Sequence, residues 1–487
     1  MRRLLLTPLL ALLLAGALPA QAAVFAVAPS ATGSGSGADW NNRIAWASVS
    51  PGTRGNTYCV MEGSYGSAAL NTAASGTSTI TIKKATTGAT ECTSLAGWSA
   101  ALGDTRAVFG DLTPNAPYYV IDGVTRNEAN WNDHASYGIK LNSVRSSRLD
   151  FSGPCSGSQC ECVADNLTFR YVHVGADSTS YPGTGAPAFY LGGFGSGSVA
   201  CQNWTISRVN IKATFLAVQC AGCFGLLYEY NYHDTGWAKE SIRGLGATGT
   251  TSNMIVRWSI FKDSCQRDPQ DATSGCTGEI ASWSGSAGSH DNIEVYGNVF
   301  YKTTTEINSG VVVVIGGNGG SWSGAPANNA KVYNNTIAGI KDWHAEILIN
   351  GGSGNECRNN LWWDNTGSIV NCVGSGTQTN NEIAGSNPFV NYAGGNFRLA
   401  AAKGPGTSLA SPYNVDMDGV TRGGDGTWDR GAFEFGTGGG PPSAPQNLRI
   451  VGWLLTLGTL AALAAGGISY AARVAARARH AAAAAAQ

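Results

Sequence analysis

The chain has 487 residues, of which only 13% are charged, and its formal net charge is −1. This near balance of charge gives no electrostatic reason to expect nucleic acid as a partner. Its 66 glycines, in a long chain of low charge, are typical of a turn-rich all-β protein, and the length allows one large, elongated core. We expect the protein to be a monomer.

Residues 1–22 predict a secretory signal peptide. Two arginines follow the first methionine, an apolar run comes next, and Ala20–Ala22 has the sequence AQA, which is an A-x-A cleavage site. A membrane anchor is the alternative, but the apolar run is short for one. We therefore expect an exported protein, in the periplasm, at the cell surface or outside the cell, that begins near Ala23.

A nine-residue segment recurs in the middle of the chain. Its copies are NLTFRYVHV (166–174), NWTISRVNI (203–211), FGLLYEYNY (224–232), NMIVRWSIF (253–261), NIEVYGNVF (292–300), NAKVYNNTI (329–337) and GNECRNNLW (354–362). The fourth and ninth positions, Leu227 and Tyr232 in the third copy, are apolar throughout. Asn298, Asn335 and Asn360 share the seventh position, where we expect like amides to stack between coils.

A seven-residue segment lies between successive copies of the first. Its copies are FYLGGFG (189–195), LAVQCAG (216–222), ESIRGLG (240–246), EIASWSG (279–285), VVVVIGG (311–317) and EILINGG (346–352). The third position is small or apolar in every copy and is predicted to point inward: Leu191, Val218, Ile242, Ala281, Val313 and Leu348. This alignment also places Glu240 and Glu279 in one column on neighbouring coils.

Two short strands per repeat, rich in β-branched residues, predict a solenoid. In such a coil each parallel strand stacks on its equivalent in the next turn, so that like residues lie above like residues. The alternative is a sandwich of hairpins, which needs tight Asn-Gly type turns; Asn318-Gly319 is a candidate for one.

Two motifs at the ends of this region resemble a known family. VFAVAPSATGSGSGADW and TYCVMEGSYG, within 24–66, are similar to the opening of secreted, pectate-lyase-like parallel β-helix proteins, with Gly63–Tyr65 in the place of a G-x-Y. VDMDGVTRGGDGTWDRGAFEF (415–435) resembles the same family's terminal D-x-D-G turn and D-x-G-A-aromatic-E strand. The resemblance implies an all-β, right-handed, single-stranded parallel β-helix over residues 23–435. Because this fold hosts many functions, it implies less about activity.

Twelve cysteines in an exported chain predict disulfide bonds, although spacing does not fix their connectivity. Cys265 and Cys276 flank one loop between two aligned segments, so we predict that they pair. Cys220 and Cys223 match C-x-x-C. They lack a second C-x-x-C to complete a zinc site, which favours structural bridges.

Carboxylates gather around one pair of coils. Glu240 and Glu279, if stacked ~4.8 Å apart, would repel each other unless a cation lay between them. The loop 262–278 adds Asp263, and hard oxygen ligands of this kind suit Ca²⁺. We therefore predict a calcium site formed by Glu240, Asp263 and Glu279. A solvated acidic loop is the alternative.

Basic residues beside this predicted calcium site are candidates for catalysis. A polysaccharide lyase needs a cation at the uronate carboxylate, a base for the C5 proton and an acid for the leaving oxygen. Lys239, Arg243 and Lys262 are the candidate catalytic bases. His233 and Trp283 are candidates for binding the sugar, since a tryptophan can stack on a sugar ring. A charge on a solvated turn is the alternative for each base.

KESIRGLG (239–246) also resembles a strand of the alginate and dermatan lyases built on this helix. Their strand opens with a calcium-binding glutamate, which Glu240 matches, and their catalytic lysine follows five positions later, where this chain has Leu245. Their arginine on the next coil is matched by Trp283. Because both catalytic positions differ, either the chemistry has moved to neighbouring basic residues or the cleft binds glycan without cutting it.

The C-terminal residues predict a membrane anchor. Residues 436–449 are a Gly/Pro-rich linker, and residues 450–472 carry no charge and are numerous enough to span a bilayer. The basic, Ala-rich tail 473–487 follows at once and is predicted to be cytoplasmic. This layout is similar to the sorting tails of bacterial surface proteins; a soluble Ala-rich helix is the alternative.

The sequence thus favours an exported, surface-associated, carbohydrate-active protein whose partner is a polysaccharide. Charge concentrates on one or two coils, which favours a lyase that cleaves acidic glycans by calcium-assisted β-elimination. The alternative is a non-catalytic glycan-binding or adhesin-type scaffold. The predicted membrane tail and the two altered lyase positions favour that alternative.

Overall fold

The structure is a computed structural model of the chain. It describes residues 22–49, 52–142, 149–150, 152–156, 159–162, 164–180, 187–191, 201–214, 216–220, 223–237, 241–245, 251–266, 278–283, 289–304, 311–317, 325–341, 345–365 and 371–436. The predicted signal peptide up to residue 21, the linker beyond residue 436, the membrane helix and the tail lie outside these residues. No helix of the described part is long and apolar enough to cross a membrane.

Parallel strands form three long sheets in the described residues, which we call sheets 1, 2 and 3. The strands of sheet 1 are Val24–Ala28, Ile44–Ala45, Thr57–Val60, Ile80–Lys84, Tyr119–Asp122, Thr168–Arg170, Thr205–Ser207, Leu227–Glu229, Ile255–Arg257, Glu294–Tyr296, Lys331–Tyr333, Glu356–Arg358 and Thr377–Thr379. Those of sheet 2 are Gly63–Ser64, Ala107–Phe109, Ile139–Leu141, Val172–Gly175, Asn210–Lys212, Tyr232–Asp234, Ile260–Lys262, Val299–Tyr301, Thr336–Ala338, Leu361–Trp363 and Glu382–Ala384. Those of sheet 3 are Leu149–Asp150, Pro187–Leu191, Leu216–Cys220, Ile242–Leu245, Gly278–Trp283, Val311–Ile315, Ile347–Ile349 and Cys372–Gly374.

Shorter elements decorate these sheets. Three strands form a small parallel sheet: Thr251–Ser252, His290–Asp291 and Ala327–Asn328. Ala68–Leu70 pairs with Leu112–Pro114 in parallel, whereas Ser152–Ser156 with Gln159–Cys162 and Phe389–Asn391 with Asn396–Leu399 are antiparallel pairs. The helices of the described part are single turns: the α-helices Trp46–Val49 and Thr90–Thr93, and the 3₁₀ helices Ala100–Leu102 and His134–Ser136.

The chain visits the three sheets in the same order in each middle coil. Leu227–Glu229 lies in sheet 1, Tyr232–Asp234 in sheet 2 and Ile242–Leu245 in sheet 3, and Ile255–Arg257 returns to sheet 1 beside its predecessor. Neighbours within a sheet are therefore equivalent strands of successive coils. This is the predicted parallel β-helix, and connections between parallel strands are expected to be right-handed.

Inward-facing side chains form one buried column in each sheet. The column of sheet 1 is Phe169, Ile206, Tyr228, Val256, Val295, Val332 and Cys357; that of sheet 2 is Val174, Ile211, His233, Phe261, Phe300, Ile337 and Trp362; that of sheet 3 is Phe189, Val218, Ile242, Ile280, Val313, Ile347 and Cys372. Each large apolar member stabilises the fold by about 1.5–3 kcal/mol through burial. Coil stacking therefore depends on this shared interior.

The predicted alignment of the third nine-residue copy is wrong by one residue, since Ile206 pairs with Tyr228 rather than Leu227, and Ile211 pairs with His233 rather than Tyr232. In both cases the following residue faces inward. The cause is Gly225 (φ 65°), which takes the left-handed corner that Asn203 (φ 57°) takes in the preceding coil, so this copy begins one residue later than predicted. Asparagine adopts this conformation more readily than most residues, which explains why asparagine opens most copies.

In the seven-residue segment the predicted alignment is wrong by one residue in two copies, because Ile280 and Ile347, and not Ala281 and Leu348, pair with Val313. Leu191 is buried in the core, as predicted. The prediction aligned the copies on their terminal glycines, whereas packing of the largest apolar side chains sets the register. A slip of one residue turns every side chain of a strand to the opposite face.

The predicted stack of amides is confirmed. Asn298 Nδ2 donates to Asn335 Oδ1 at 3.1 Å, and Asn335 Nδ2 donates to Asn360 Oδ1 at 3.0 Å. The ladder continues to Asn381, again at 3.0 Å. Asn335 Nδ2 also donates to the Val295 carbonyl at 2.9 Å. These bonds satisfy amides that would be costly to bury without partners.

Disulfide bonds join Cys220 to Cys223, as the structural-bridge prediction requires, and also Cys59 to Cys92 and Cys357 to Cys372. Cys265 is disulfide-bonded too. Cys276 lies outside the described residues, so the pairing of Cys265 with Cys276 stays a prediction.

Candidate functional site

The structure separates the predicted site residues. Lys239, Glu240 and the side chain of Trp283 lie outside the described part of the chain. Arg243 lies in a strand of sheet 3, whereas Lys262 ends a strand of sheet 2. These two predicted bases are therefore not neighbours in one sheet.

The predicted column of Glu240 above Glu279 is wrong. Ile242 pairs with Ile280, which places Ser241 opposite Glu279. The Ser241 hydroxyl donates a hydrogen bond to Glu279 Oε2 at 2.9 Å. The prediction matched two glutamates along the sequence, but burial of the two isoleucines decides the register.

Glu279 belongs to a buried ion pair that sequence reasoning missed. Lys302 Nζ lies 2.5 Å from Glu279 Oε1 and also donates to the backbone carbonyl of Ser264. The lysine and glutamate side chains are only 2% and 5% exposed. The two residues come from different coils, so no local spacing signals the pair. Breaking the ion pair between Lys302 and Glu279 would leave a buried charge without a counter-charge. Glu279 is therefore part of the fold's internal network.

Asp263 is also occupied by internal donors. Its carboxylate accepts hydrogen bonds from the backbone amide and hydroxyl of Thr303, both at 2.5 Å, and from the amide of Thr304 at 3.3 Å. Within the described ranges, no group of three or more His, Cys, Asp or Glu residues could hold a metal ion. Asp263 and Glu279 thus both have internal partners in the described residues. The calcium site formed by Glu240, Asp263 and Glu279 stays a prediction.

His233 lies in the interior column of sheet 2 and is completely buried. Its Nδ1 is 2.9 Å from the Ser241 hydroxyl and 3.2 Å from the Ser264 hydroxyl, while Nε2 has no hydrogen-bond partner. Burial lowers the pKa of His233 to about 4, since a second ring proton would find no acceptor. The prediction that His233 binds the sugar is wrong, because the ring faces the inside of the coil.

A row of charges lies on the outer face of sheet 2. Lys212, Asp234 and Lys262 are paired neighbours on three successive strands, and each directly follows an inward residue and so faces outward. Lys212 Nζ lies 3.5 Å from Asp234 Oδ2, and Lys262 Nζ lies 3.3 Å from Asp234 Oδ1. We call these three residues the Asp234 row. The repeats could have predicted the Asp234 row, because each of its three residues directly follows the inward position of the same column.

Four side chains surround Asp177 at the end of a neighbouring strand. Arg106 Nη2 lies 3.0 and 3.2 Å from the two carboxylate oxygens, and Lys140 Nζ lies 2.6 Å from one of them. His134 Nε2 and His173 Nε2 each lie 3.4 Å from Oδ1. We call these five residues the Asp177 cluster. Sequence reasoning missed it, because separate segments supply its members and no motif connects them.

The surroundings of Asp177 keep its carboxylate ionised. His173, together with Lys140 and Arg106, holds the pKa of Asp177 well below its ordinary range. At 3.4 Å the imidazole contact is long for a hydrogen bond, so we ascribe the larger part of this effect to the two cations. Asp177 is nevertheless 45% exposed, more than any of its four partners.

The Asp177 cluster adjoins the Asp234 row. Gly175, at the end of the strand before Asp177, pairs with Lys212. Burial, followed by the positive charge of Lys212, lowers the pKa of His134, so its imidazole is neutral near pH 7. The outer face of sheet 2 therefore presents cations beside a neutral imidazole. Such a surface can neutralise carboxylates of a ligand and exchange a proton with it.

Comparison with known proteins gives likeness in structure only. No protein-family profile and no curated protein matches the chain. Similar solved structures include pectate lyase Pel9A, with 12% identity, a TM-score of 0.45, and coverage of 85% of this chain and 97% of that one. A rhamnogalacturonan lyase has 10% identity, a TM-score of 0.37, and coverage of 80% and 95%. The lacto-N-biosidase of Eubacterium ramulus has 9% identity, a TM-score of 0.28, and coverage of 74% and 68%. The parallel β-helix of this chain is seen in its own sheets, where equivalent strands of successive coils pair in parallel.

Proposed function

We propose that the protein is exported and surface-associated, and that it binds an acidic polysaccharide across the outer face of sheet 2. The supporting observation is the set of outward cations Lys140, Lys212 and Lys262. They lie on alternate strands of one sheet, hence roughly 10 Å apart along the helix axis at ~4.8 Å per strand. A polymer that carries repeated carboxylates would contact several of these cations at once, which strengthens binding beyond any one contact.

The chemistry of the present contacts supports this choice of ligand. Asp177 and Asp234 already hold these cations through carboxylate oxygens, which a uronate carboxylate would imitate. The side chains of Arg106 and Lys262 are 20% and 22% exposed, so solvent contacts both. An incoming acidic sugar would therefore compete with internal aspartates for cations that the fold has already positioned.

Cleavage by β-elimination is the reaction class that we propose. Removal of the C5 proton beside a uronate carboxylate develops negative charge there, and an adjacent fixed cation stabilises that charge. Lys262 suits this role, because its side chain is 22% exposed and the substrate carboxylate would approach its ammonium group from the solvent side. Lys239 and Arg243 remain candidates for the base, and calcium assistance remains a prediction.

An activity screen tests the enzyme proposal. The purified protein is incubated with alginate, pectate and glycosaminoglycans, with and without a calcium chelator, and unsaturated products are followed by their ultraviolet absorbance. Lys262→Ala should lower the rate at least about a hundredfold, as expected for loss of one charge-stabilising group. Lys83→Ala is the matched control, since Lys83 is 15% exposed and paired with Asp122 in sheet 1. Equal loss in both variants would contradict the role of Lys262.

A non-catalytic glycan-binding or adhesin-type scaffold is the second candidate function. Leu245 and Trp283 favour it, because they stand where the resembling lyases have a lysine and an arginine. It predicts saturable binding of an acidic polysaccharide, weakened in Lys262→Ala, with no unsaturated product from any polymer.

Export and membrane anchoring belong to the same proposal and rest on residues 1–22 and 450–472. Cells that produce the full chain should hold it in a membrane fraction open to added protease. A chain that ends at residue 435 should leave that fraction. Protease-protected protein in both cases would refute export. Size-exclusion chromatography of the shorter chain should show a monomer.

A further inference from the structure

We propose that the Asp177 cluster is an anion-binding subsite in which Asp177 occupies the place of a ligand's carboxylate or sulfate group. The assignment of that ligand to an acidic sugar rests on the function proposed above. The anion site itself does not, and inorganic sulfate can probe it alone.

The geometry of the donors supports a preformed site. Arg106 precedes one strand of sheet 2, Lys140 and His173 lie within the next two, and His134 comes from a 3₁₀ helix. All four point a nitrogen at the carboxylate of Asp177, at 2.6–3.4 Å. Donors from separate elements that converge on one carboxylate would meet the oxygens of any similar anion in the same way.

The distribution of charge and exposure indicates that Asp177 is the replaceable member. Arg106 and Lys140 bring two positive charges against one negative charge, and Lys212 lies close enough to act on His134. The side chain of Lys140 is 10% exposed and sits on a strand, whereas that of Asp177 is 45% exposed in a segment beyond the strand end. The cations are therefore fixed and under-compensated, while their anion faces solvent.

His173 supplies an independent sign of a ligand. Its Nδ1 lies 2.9 Å from Asn210 Oδ1, and the Asn210 amide donates to the Trp131 carbonyl at 2.9 Å, so Nδ1 must be the ring's donor. Nε2 is left without a hydrogen-bond partner, on a fully buried ring that faces the Asp177 oxygens. An anion closer than 3.4 Å would allow Nε2 to take up a proton and complete a hydrogen bond.

The test uses Asp177→Ala and inorganic sulfate. Removal of the carboxylate should lower the melting temperature, and sulfate should restore it saturably, because an anion that binds the folded state stabilises it by mass action. The dissociation constant for sulfate should be at least about tenfold lower in Asp177→Ala than in wild type, since the competing charge is gone. Chloride at equal ionic strength controls for general screening.

Asp364→Ala is the matched control variant. Asp364 is 42% exposed and paired with a single cation, Lys341, so its removal should create no sulfate-dependent gain. An equal response of Asp177→Ala and Asp364→Ala would overturn the proposal.

A second measurement decides the matter if Asp177→Ala does not fold. In wild type, sulfate should shift the imidazole resonances of His173 and raise its pKa, and Lys140→Met should abolish both effects. Unmoved His173 resonances in wild type at saturating sulfate would then overturn the proposal. Sulfate binding without any polysaccharide binding would refute the proposed function and leave the anion site standing. If the polysaccharide binds Asp177→Ala as well as wild type, and sulfate does not compete with it, the anion site would be refuted and the proposed function would stand.

Discussion

The interior histidine of sheet 2 should make the stability of the protein depend on pH. His233 is fully buried, and burial lowers its pKa from 6.5 to about 4. In the unfolded chain the same imidazole titrates near pH 6.5 and binds a proton as the pH falls below that value. Between pH 6.5 and 4 the unfolded state therefore binds more protons than the folded state. The contribution of His233 to the free energy of unfolding is fully present above about pH 6.5 and is lost as the pH falls toward 4.

The size of this effect follows from the shift. A difference of one pKa unit corresponds to about 1.4 kcal/mol, so the shift of His233 amounts to about 3 kcal/mol in full and to about 2.5 kcal/mol by pH 4.5. Other groups titrate over the same range, His290 among them, with a pKa that burial also lowers to about 4. A variant must therefore isolate the contribution of His233.

His233→Phe is suited to this purpose, because Phe261 and Phe300 fill the same column in the next coils. Urea unfolding at about pH 7 and about pH 4.5 gives the free energy of unfolding for wild type and variant. At pH 7 the variant should be less stable by about 1–3 kcal/mol, since the hydroxyl of Ser264 loses its imidazole partner. Between the two pH values wild type should lose about 2.5 kcal/mol more than the variant. Equal losses would refute the reasoning.

Three further predictions concern contacts that hold the coils together. Glu279→Gln should cost about 3–5 kcal/mol by leaving Lys302 buried and unpaired, and the double change Glu279→Gln with Lys302→Met should recover much of that loss in urea unfolding. Asn335→Ala should cost at least about 2 kcal/mol, because its two neighbours in the amide ladder lose partners; an unchanged urea midpoint would contradict this. Cys265 and Cys276 should appear in one peptide pair when the unreduced protein is mapped by mass spectrometry, and a link of either to another cysteine would refute the pairing.

Repeating apolar positions made the architecture predictable from the sequence. Each strand of a parallel coil needs an inward apolar residue, so that signal recurs locally and can be seen without knowledge of distant contacts. The amides Asn298, Asn335 and Asn360 were predictable for the same reason, since they occupy one position in consecutive copies. Where Gly225 replaces the usual corner asparagine, the signal is lost, and the predicted register slipped by one residue.

The predicted site was less successful, because charged residues obey no such repeat. Glu240 and Glu279 were aligned because they are the same residue type. The pairing of Ile242 with Ile280 sets the register instead, and it places Glu279 opposite Ser241. Lys302, in the next coil, then neutralises Glu279 inside the fold. Burial thus gives Glu279 an internal partner that the sequence alone did not indicate.

What the sequence determined by itself is therefore the coil, with its two repeated apolar segments and its stacked asparagines, which follow from local spacing and burial. Only the tertiary structure decided which charges meet. Arg106 and Lys140 lie 71 and 37 residues from Asp177 along the chain, yet both contact its carboxylate. Coils of unequal length carry these residues to one face, and no local pattern records that distance. The physical reason is that stacking of the interior fixes the register of each strand, and the outer charges follow it.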